Sequence, residues 1–171
     1  MNQLRSRTLR RLFVLFLALA PTGTLLAAPP VSLNEDDWFV VKMQDKKCGY
    51  MHATTRTVGK EVLTQSVMAL EIARGPSKVK ISVDQKYRET LDGKPLGFVQ
   101  TMNLGQIPVT VRGTVKGKQI ELVTTQGDAK QEAMHDFDPE IKFAWGLRLE
   151  EQRHGIKKGT SFNAKTYESS L

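Results

Sequence analysis

Residues 78–93 read KVKISVDQKYRETLDG, and this stretch decides the fold class. Apolar and charged side chains alternate along it, which is the period of a β-strand with one buried face and one solvated face. One face carries Val79, Ile81, Val83, Gln85, Tyr87 and Leu91, and the other carries Lys78, Lys80, Ser82, Asp84, Lys86, Arg88 and Thr90. The Asp92-Gly93 pair that follows is a strong hairpin signal, because both residues tolerate positive φ.

The same alternation extends on both sides of this strand and is broken by turn signals roughly every ten residues. Upstream, it predicts strands over residues 38–43, 48–58 and 61–73. Downstream, apolar positions recur in the same way, at Leu96, Phe98, Met102, Leu104, Ile107, Val109, Val111, Val115, Ile120 and Leu122, and a weaker strand runs through Met134. We therefore predict a mainly β fold: a large, curved antiparallel sheet, arranged as a half-barrel-like meander.

One late helix is predicted over residues 139–154, packed on that sheet. Asp138 is a suitable N-cap, Pro139 suits the first helical position, and Gly155 suits the residue after the last turn. Residues 160–167 then alternate again and predict a final strand. The chain ends directly after it, which suggests that residues 38–171 are a single β-rich domain truncated at its C-terminus.

The N-terminus has the layout of a cleavable signal peptide over residues 1–28. Four arginines precede an apolar run of nine residues from Leu12 to Ala20, and small residues follow. The run is too short for a bilayer-spanning helix, which needs about 20 residues. We therefore expect an exported, periplasmic or extracellular protein that contacts the membrane only through this segment. Residues 29–37 are polar and predict a loose leader.

Charge and cysteine content narrow the possible partners. Four of the 25 basic residues lie in residues 1–28, which leaves 21 basic against 18 acidic residues, a formal charge of +3. So mild a balance does not indicate a nucleic-acid partner. The single cysteine, Cys48, cannot form an internal disulfide, so the domain must rely on its hydrophobic core.

Five short segments occur in an order that resembles a known family. They are WFVV at 38–41, KKCGYMH at 46–52, ETLDGKPL at 89–96, GTVKG at 113–117 and GIKKGT at 155–160. The pattern resembles the β-rich N-terminal region of bacterial transglutaminase-like (cysteine protease) proteins. The resemblance implies an accessory domain, because the family's catalytic Cys, His and Asp belong to a downstream domain. The predicted architecture is also similar to the half-barrel of periplasmic lipoprotein carriers.

The titratable residues do not form a recognisable catalytic or metal site. Cys48 and His52 lie four residues apart on one predicted strand, about 13 Å by the rise per residue, which is too far for a thiol–imidazole pair. The segment from His135 to Asp138 lacks a second ligand cluster. Glu89 lies on the apolar face, where burial would suit acid–base chemistry. We favour instead a position near the rim of the sheet, paired with a lysine or arginine.

The sequence thus predicts a non-catalytic, exported interaction module without cofactor or metal. Its expected partner is a transglutaminase-like domain, in the same chain or a separate one. The alternative is a periplasmic carrier that binds a lipid or other apolar ligand in the concave sheet. The residues expected to line such a site are Met68, Phe98, Met102, Phe143 and Trp145.

Overall fold

The computed structural model describes residues 33–74, 77–105, 107–155 and 157–167 of the 171-residue chain. The elements are β1 (Glu35–Met43), β2 (Lys46–Val58), β3 (Glu61–Arg74), β4 (Ser77–Thr90), β5 (Pro95–Asn103), β6 (Val109–Lys116), β7 (Gln119–Gln126), β8 (Ala129–Asp136) and α1 (Ala144–His154). The strands form one antiparallel sheet in chain order from β1 to β8. The predicted mainly β meander with a late helix is confirmed. The predicted signal peptide lies outside the described residues.

Strand register divides the side chains between two faces of the sheet. The helix face carries Tyr87 and Glu89 of β4, and α1 packs on it. The outer face carries Lys86 and Arg88 of the same strand. Aromatic and aliphatic side chains of the helix face form the core, namely Phe98, Val111, Ile120, Phe137 and Phe143, with Tyr87, Val115, Leu122, Ile141 and Tyr167 packed against them.

The predicted hairpin at Asp92-Gly93 joins β4 to β5. Gly93 has φ +79°, and its N–H donates to the Thr90 carbonyl at 2.9 Å. A Cβ at this position would lie 2.8 Å from the Cα of Gly146, so the turn also packs closely against α1. Glycine is therefore required here both for the left-handed backbone and for the close approach.

The helix begins at Ala144, so its predicted start at residue 139 is wrong. Asp138 is not its N-cap: the Asp138 carboxylate accepts a hydrogen bond from the Glu140 N–H at 2.9 Å, within a separate turn. Lys142 is extended, and the extended Phe143 is the N-cap residue and lies buried in the core. Burial of the Phe143 ring keeps this segment extended and delays the helix by about one turn.

Two further boundaries differ from the sequence prediction. The final strand predicted over residues 160–167 is reduced to one parallel bridge between Thr166 and Lys142, and Tyr167 packs on the core. At the other end, β1 begins at Glu35, so it includes Asp36 and Asp37, which the sequence assigns to the leader. Pairing with Thr54 and Ala53 of β2 holds these two acidic residues in the sheet.

Candidate functional site

The first strand forms an open edge of the sheet. β1 is paired on one side with β2, and no other described strand pairs with it. Its middle is apolar on both faces: 66% of Trp38, 48% of Phe39 and 59% of Val40 are exposed. An edge strand of this kind offers unpaired backbone N–H and C=O groups beside uncovered apolar side chains, which suits pairing with another polypeptide. We call residues 38–41 the edge segment.

An aromatic cluster holds the edge segment in place on the outer face. The Trp38 ring stacks on His52 of β2, with centroids 4.0 Å apart and planes 10° apart, and Tyr50 lies 5.5 Å from the same ring. His52 Nε2 is 2.7 Å from Asp36 Oδ1, which fixes the imidazole between the carboxylate and the indole. Trp38 is therefore ordered by its neighbours although most of its surface is exposed.

An ion pair connects the start of β1 to the helix. Arg148 of α1 extends both terminal guanidinium nitrogens to the Glu35 carboxylate. A bidentate arginine–carboxylate pair fixes orientation as well as distance. This ion pair fixes the start of β1 relative to α1. The edge segment therefore belongs to a strand that is held at its N-terminal end.

The opposite edge of the sheet has a different character. β8 carries Lys130, Glu132 and Asp136, and Lys130 pairs with Glu132. Charged side chains are the usual means by which an edge strand avoids pairing with other chains. The edge segment of β1 carries no charged residue between Asp37 and Lys42, so the two edges of the sheet differ in their capacity to bind.

Glu89 is completely buried, so the predicted position at the rim with a basic partner is wrong. Its Oε2 accepts a hydrogen bond from the Trp145 N–H at 2.7 Å, and its Oε1 accepts one from the Gly146 N–H at 2.8 Å. Burial raises the pKa of the Glu89 carboxyl, while these N–H donors and the Lys142 charge act in the opposite direction. Both oxygens are occupied by the backbone of α1, so the carboxylate serves to hold the helix.

The other titratable candidates have partners of their own. The Cys48 thiol is half-buried and donates to the Val41 carbonyl at 3.5 Å, whereas His52 is held by Asp36 and Trp38. Asp138 binds Lys165 Nζ at 2.7 Å, and that contact lowers the pKa of the Asp138 carboxyl. Within the described ranges, no group of three or more His, Cys, Asp or Glu residues could hold a metal ion.

The five residues expected to line an apolar site lie in different surroundings. Phe98 and Phe143 belong to the packed core, and Trp145 is buried with its Nε1 donating to the Leu91 carbonyl at 3.0 Å. Met68 and Met102 lie on the same face, flanking Val83. A cavity of about 200 Å³ lies between α1 and the sheet, and of the five residues only Trp145 borders it.

Sequence reasoning identified the strand that contains the edge segment but not its exposure. The apolar pattern of residues 38–43 predicts a strand, but it does not distinguish an edge strand from a central one. One available signal was topology, because the first strand of an open meander lies at an edge.

Comparison with protein-family models, with curated proteins and with solved structures gives no match to this chain. No helix in the described part of the chain is both long and apolar enough to cross a membrane.

Proposed function

We propose that this protein is an exported, non-catalytic interaction module that binds an extended segment of a partner polypeptide along β1. The observation that carries the proposal is the edge segment, in which Trp38, Phe39 and Val40 are exposed on a strand whose second edge pairs with no described strand. Backbone pairing would supply affinity, and the alternating apolar side chains would select an apolar partner strand. A transglutaminase-like domain is the partner that the sequence resemblance suggests.

The charges that flank the edge segment predict the charge pattern of the partner segment. Asp36 and Asp37 precede the segment and Lys42 follows it. An antiparallel partner strand would place its own ends opposite these charges, and opposite charges directly across a strand pair are favourable. The partner segment is therefore expected to be apolar in its middle, acidic near Lys42 and basic near Asp36.

Site-specific photo-crosslinking in the native host envelope tests this proposal. A photoreactive phenylalanine analogue would replace Phe39 in β1 or, as the matched control, Gln131 in β8, which is exposed on the same face. We expect the probe at position 39 to capture one protein, through an extended apolar peptide identified by mass spectrometry. Equal capture from both positions, or capture through a helical surface of the partner, would contradict the proposal.

A second candidate function is favoured by a row of apolar side chains on the helix face beyond α1. Strand pairing places six of them side by side across β1 to β6, namely Phe39, Met51, Met68, Val83, Met102 and Val109. None is fully buried, so the row offers a surface for a lipid or other apolar ligand. Native mass spectrometry of protein purified from its host tests this carrier function. A bound lipid that is lost on Met68→Asp substitution would support it, and a ligand-free mass would exclude it.

A further inference from the structure

A pocket of about 310 Å³ lies on the outer face of the sheet, away from the helix. Strand pairing arranges its lining in two rows across β2 to β6. The first row is Arg56, Leu63, Arg88, Gly97 and Thr114, and the second is Thr54, Gln65, Lys86, Val99 and Arg112. Leu63 and Val99 supply an apolar floor, and basic side chains stand on either side of each.

Gly97 deepens the pocket at its centre. It lies between Arg88 and Thr114 in the first row and contributes no side chain. A Cβ at Gly97 would lie 2.6 Å from the Gly113 carbonyl oxygen, so neighbouring strands approach too closely here for a larger residue. The depression is therefore fixed by backbone packing and does not depend on the rotamer of a surface side chain.

The charges around the pocket are not balanced. Arg88 forms a bidentate ion pair with Glu61, in which Nε and Nη2 each lie 2.9 Å from a carboxylate oxygen. Lys86 Nζ lies 3.3 Å from Asp84 Oδ2. Glu121 lies beside Thr114 and forms an ion pair with Lys116, whose Nζ is 2.8 Å from Glu121 Oε2. Arg56 and Arg112, by contrast, form no hydrogen bond or ion pair within the described residues, although both line the pocket. No carboxylate is among the described lining residues, so the guanidinium groups of Arg56 and Arg112 are uncompensated at this apolar depression.

The two guanidinium groups approach the pocket from opposite sides. Arg56 on β2 and Arg112 on β6 are four strand spacings apart, which is about 19 Å at the backbone, so they stand at opposite ends of the pocket. At one end Leu63 lies between Arg56 and Arg88, and at the other Val99 lies between Lys86 and Arg112. The long arginine side chain at either end can present planar donors to an oxyanion that lies over the floor. An apolar group of the same ligand would rest on Leu63 and Val99.

We infer that this pocket binds a small amphipathic anion, a carboxylate, sulfonate or phosphate joined to a compact apolar group. The oxyanion would bind Arg56 at one end of the pocket or Arg112 at the other, and the floor would bury the apolar part. This site is on the opposite face from the apolar row, and its lining begins on β2, so no residue of β1 belongs to it. The inference therefore stands independently of the proposed interaction through the edge segment.

A matched pair of fluorescent probes tests the inference on the full chain. Anilinonaphthalene sulfonate carries a sulfonate, and phenylnaphthylamine is the same ring system without it. We expect Arg56→Gln/Arg112→Gln to weaken sulfonate binding by roughly tenfold or more, because charge-assisted hydrogen bonds are lost, and to leave phenylnaphthylamine binding unchanged. Lys46→Gln/Lys47→Gln is the control, since it removes the same charge from the start of β2, outside the pocket lining.

Both arginines are exposed and without described partners, so their replacement leaves no buried group unpaired and the variant should fold. An unchanged circular dichroism melting curve verifies this. Equal sulfonate affinity for the double arginine variant and the unsubstituted protein would overturn the inference, as would equal weakening in the lysine control. Sedimentation with phosphatidylglycerol vesicles separates two sources of the anion. Arginine-dependent vesicle binding assigns a lipid headgroup, whereas probe binding without vesicle binding assigns a free small molecule.

Discussion

Glu89 of β4 accepts a hydrogen bond from the backbone N–H of Gly146 at 2.8 Å, across 57 positions of sequence. Its second oxygen accepts the N–H of Trp145, so one carboxylate satisfies the second and third backbone donors of α1. These are the donors that an N-cap side chain normally satisfies, and the N-cap residue here, Phe143, cannot do so. The sheet therefore caps the helix that covers it.

Removal of this cap should destabilise the domain. We expect Glu89→Ala to lower the free energy of unfolding by about 3 kcal/mol, because it leaves two buried N–H groups unpaired and a void. Glu89→Gln should cost about 1 kcal/mol, since the amide can still accept one of the two hydrogen bonds. Urea denaturation measures both values. The control Glu132→Gln lies on the surface of β8 and should change stability by less than about 0.5 kcal/mol.

The same carboxylate should make stability depend on pH. Burial raises the pKa of Glu89 in the folded state, so its protonated form is favoured there relative to the unfolded chain. Its contribution is then fully present below the unfolded pKa and is lost as the pH rises through the folded pKa. Between about pH 4.5 and neutrality, the melting temperature of the unsubstituted protein should fall relative to that of Glu89→Gln. A constant difference between the two across this range would contradict the assignment.

Close packing at Gly146 gives a prediction that opposes helix propensity. Alanine in a helix is usually favoured over glycine by about 1 kcal/mol. A Cβ at Gly146, however, would lie 2.7 Å from the Gly93 carbonyl oxygen. We therefore expect Gly146→Ala to destabilise the domain by about 2 kcal/mol, measured by urea denaturation. Gly105→Ala is the control, because a Cβ there meets nothing within 4 Å, and it should be close to neutral.

Cys48 should be dispensable for function. Its thiol makes one weak hydrogen bond to the Val41 carbonyl, and His52 is engaged by Asp36. We expect Cys48→Ser to leave partner binding unchanged and to cost less than about 1 kcal/mol of stability. Binding and urea denaturation of the variant check this together. A selective loss of activity in a well-folded Cys48→Ser protein would indicate a chemical role for the thiol.

The features predicted correctly from sequence are those encoded locally. The alternation around Tyr87 and the Asp92-Gly93 turn each depend on adjacent residues, and both agree with the structure. The start of α1 could not be obtained in this way, because its cap is supplied by Glu89 from a distant strand. Asp138 has the right residue type for a cap, but Lys165 and its own local turn occupy it.

The candidate sites required information that residue patterns do not contain. The exposure of Trp38 follows from the position of β1 in the sheet, because a central strand could carry the same residues. The placement of Arg56 and Arg112 at the two ends of one pocket depends on the register of five strands, which no single segment determines. Residue types were visible in the sequence, whereas their shared surface is a property of the assembled sheet.

The measurement that most directly tests the central claim is backbone amide hydrogen exchange in β1, with and without the partner captured through position 39. Pairing with a partner strand predicts slower exchange of the β1 amides that point away from β2, which lie at alternate positions. Exchange of the β8 amides should stay unchanged. Val40→Lys should abolish that protection with little effect on stability, because this side chain is largely exposed and lies outside the stacked Trp38–His52 pair. Binding that leaves the β1 amides unprotected, or that protects β8 instead, would contradict the proposed function.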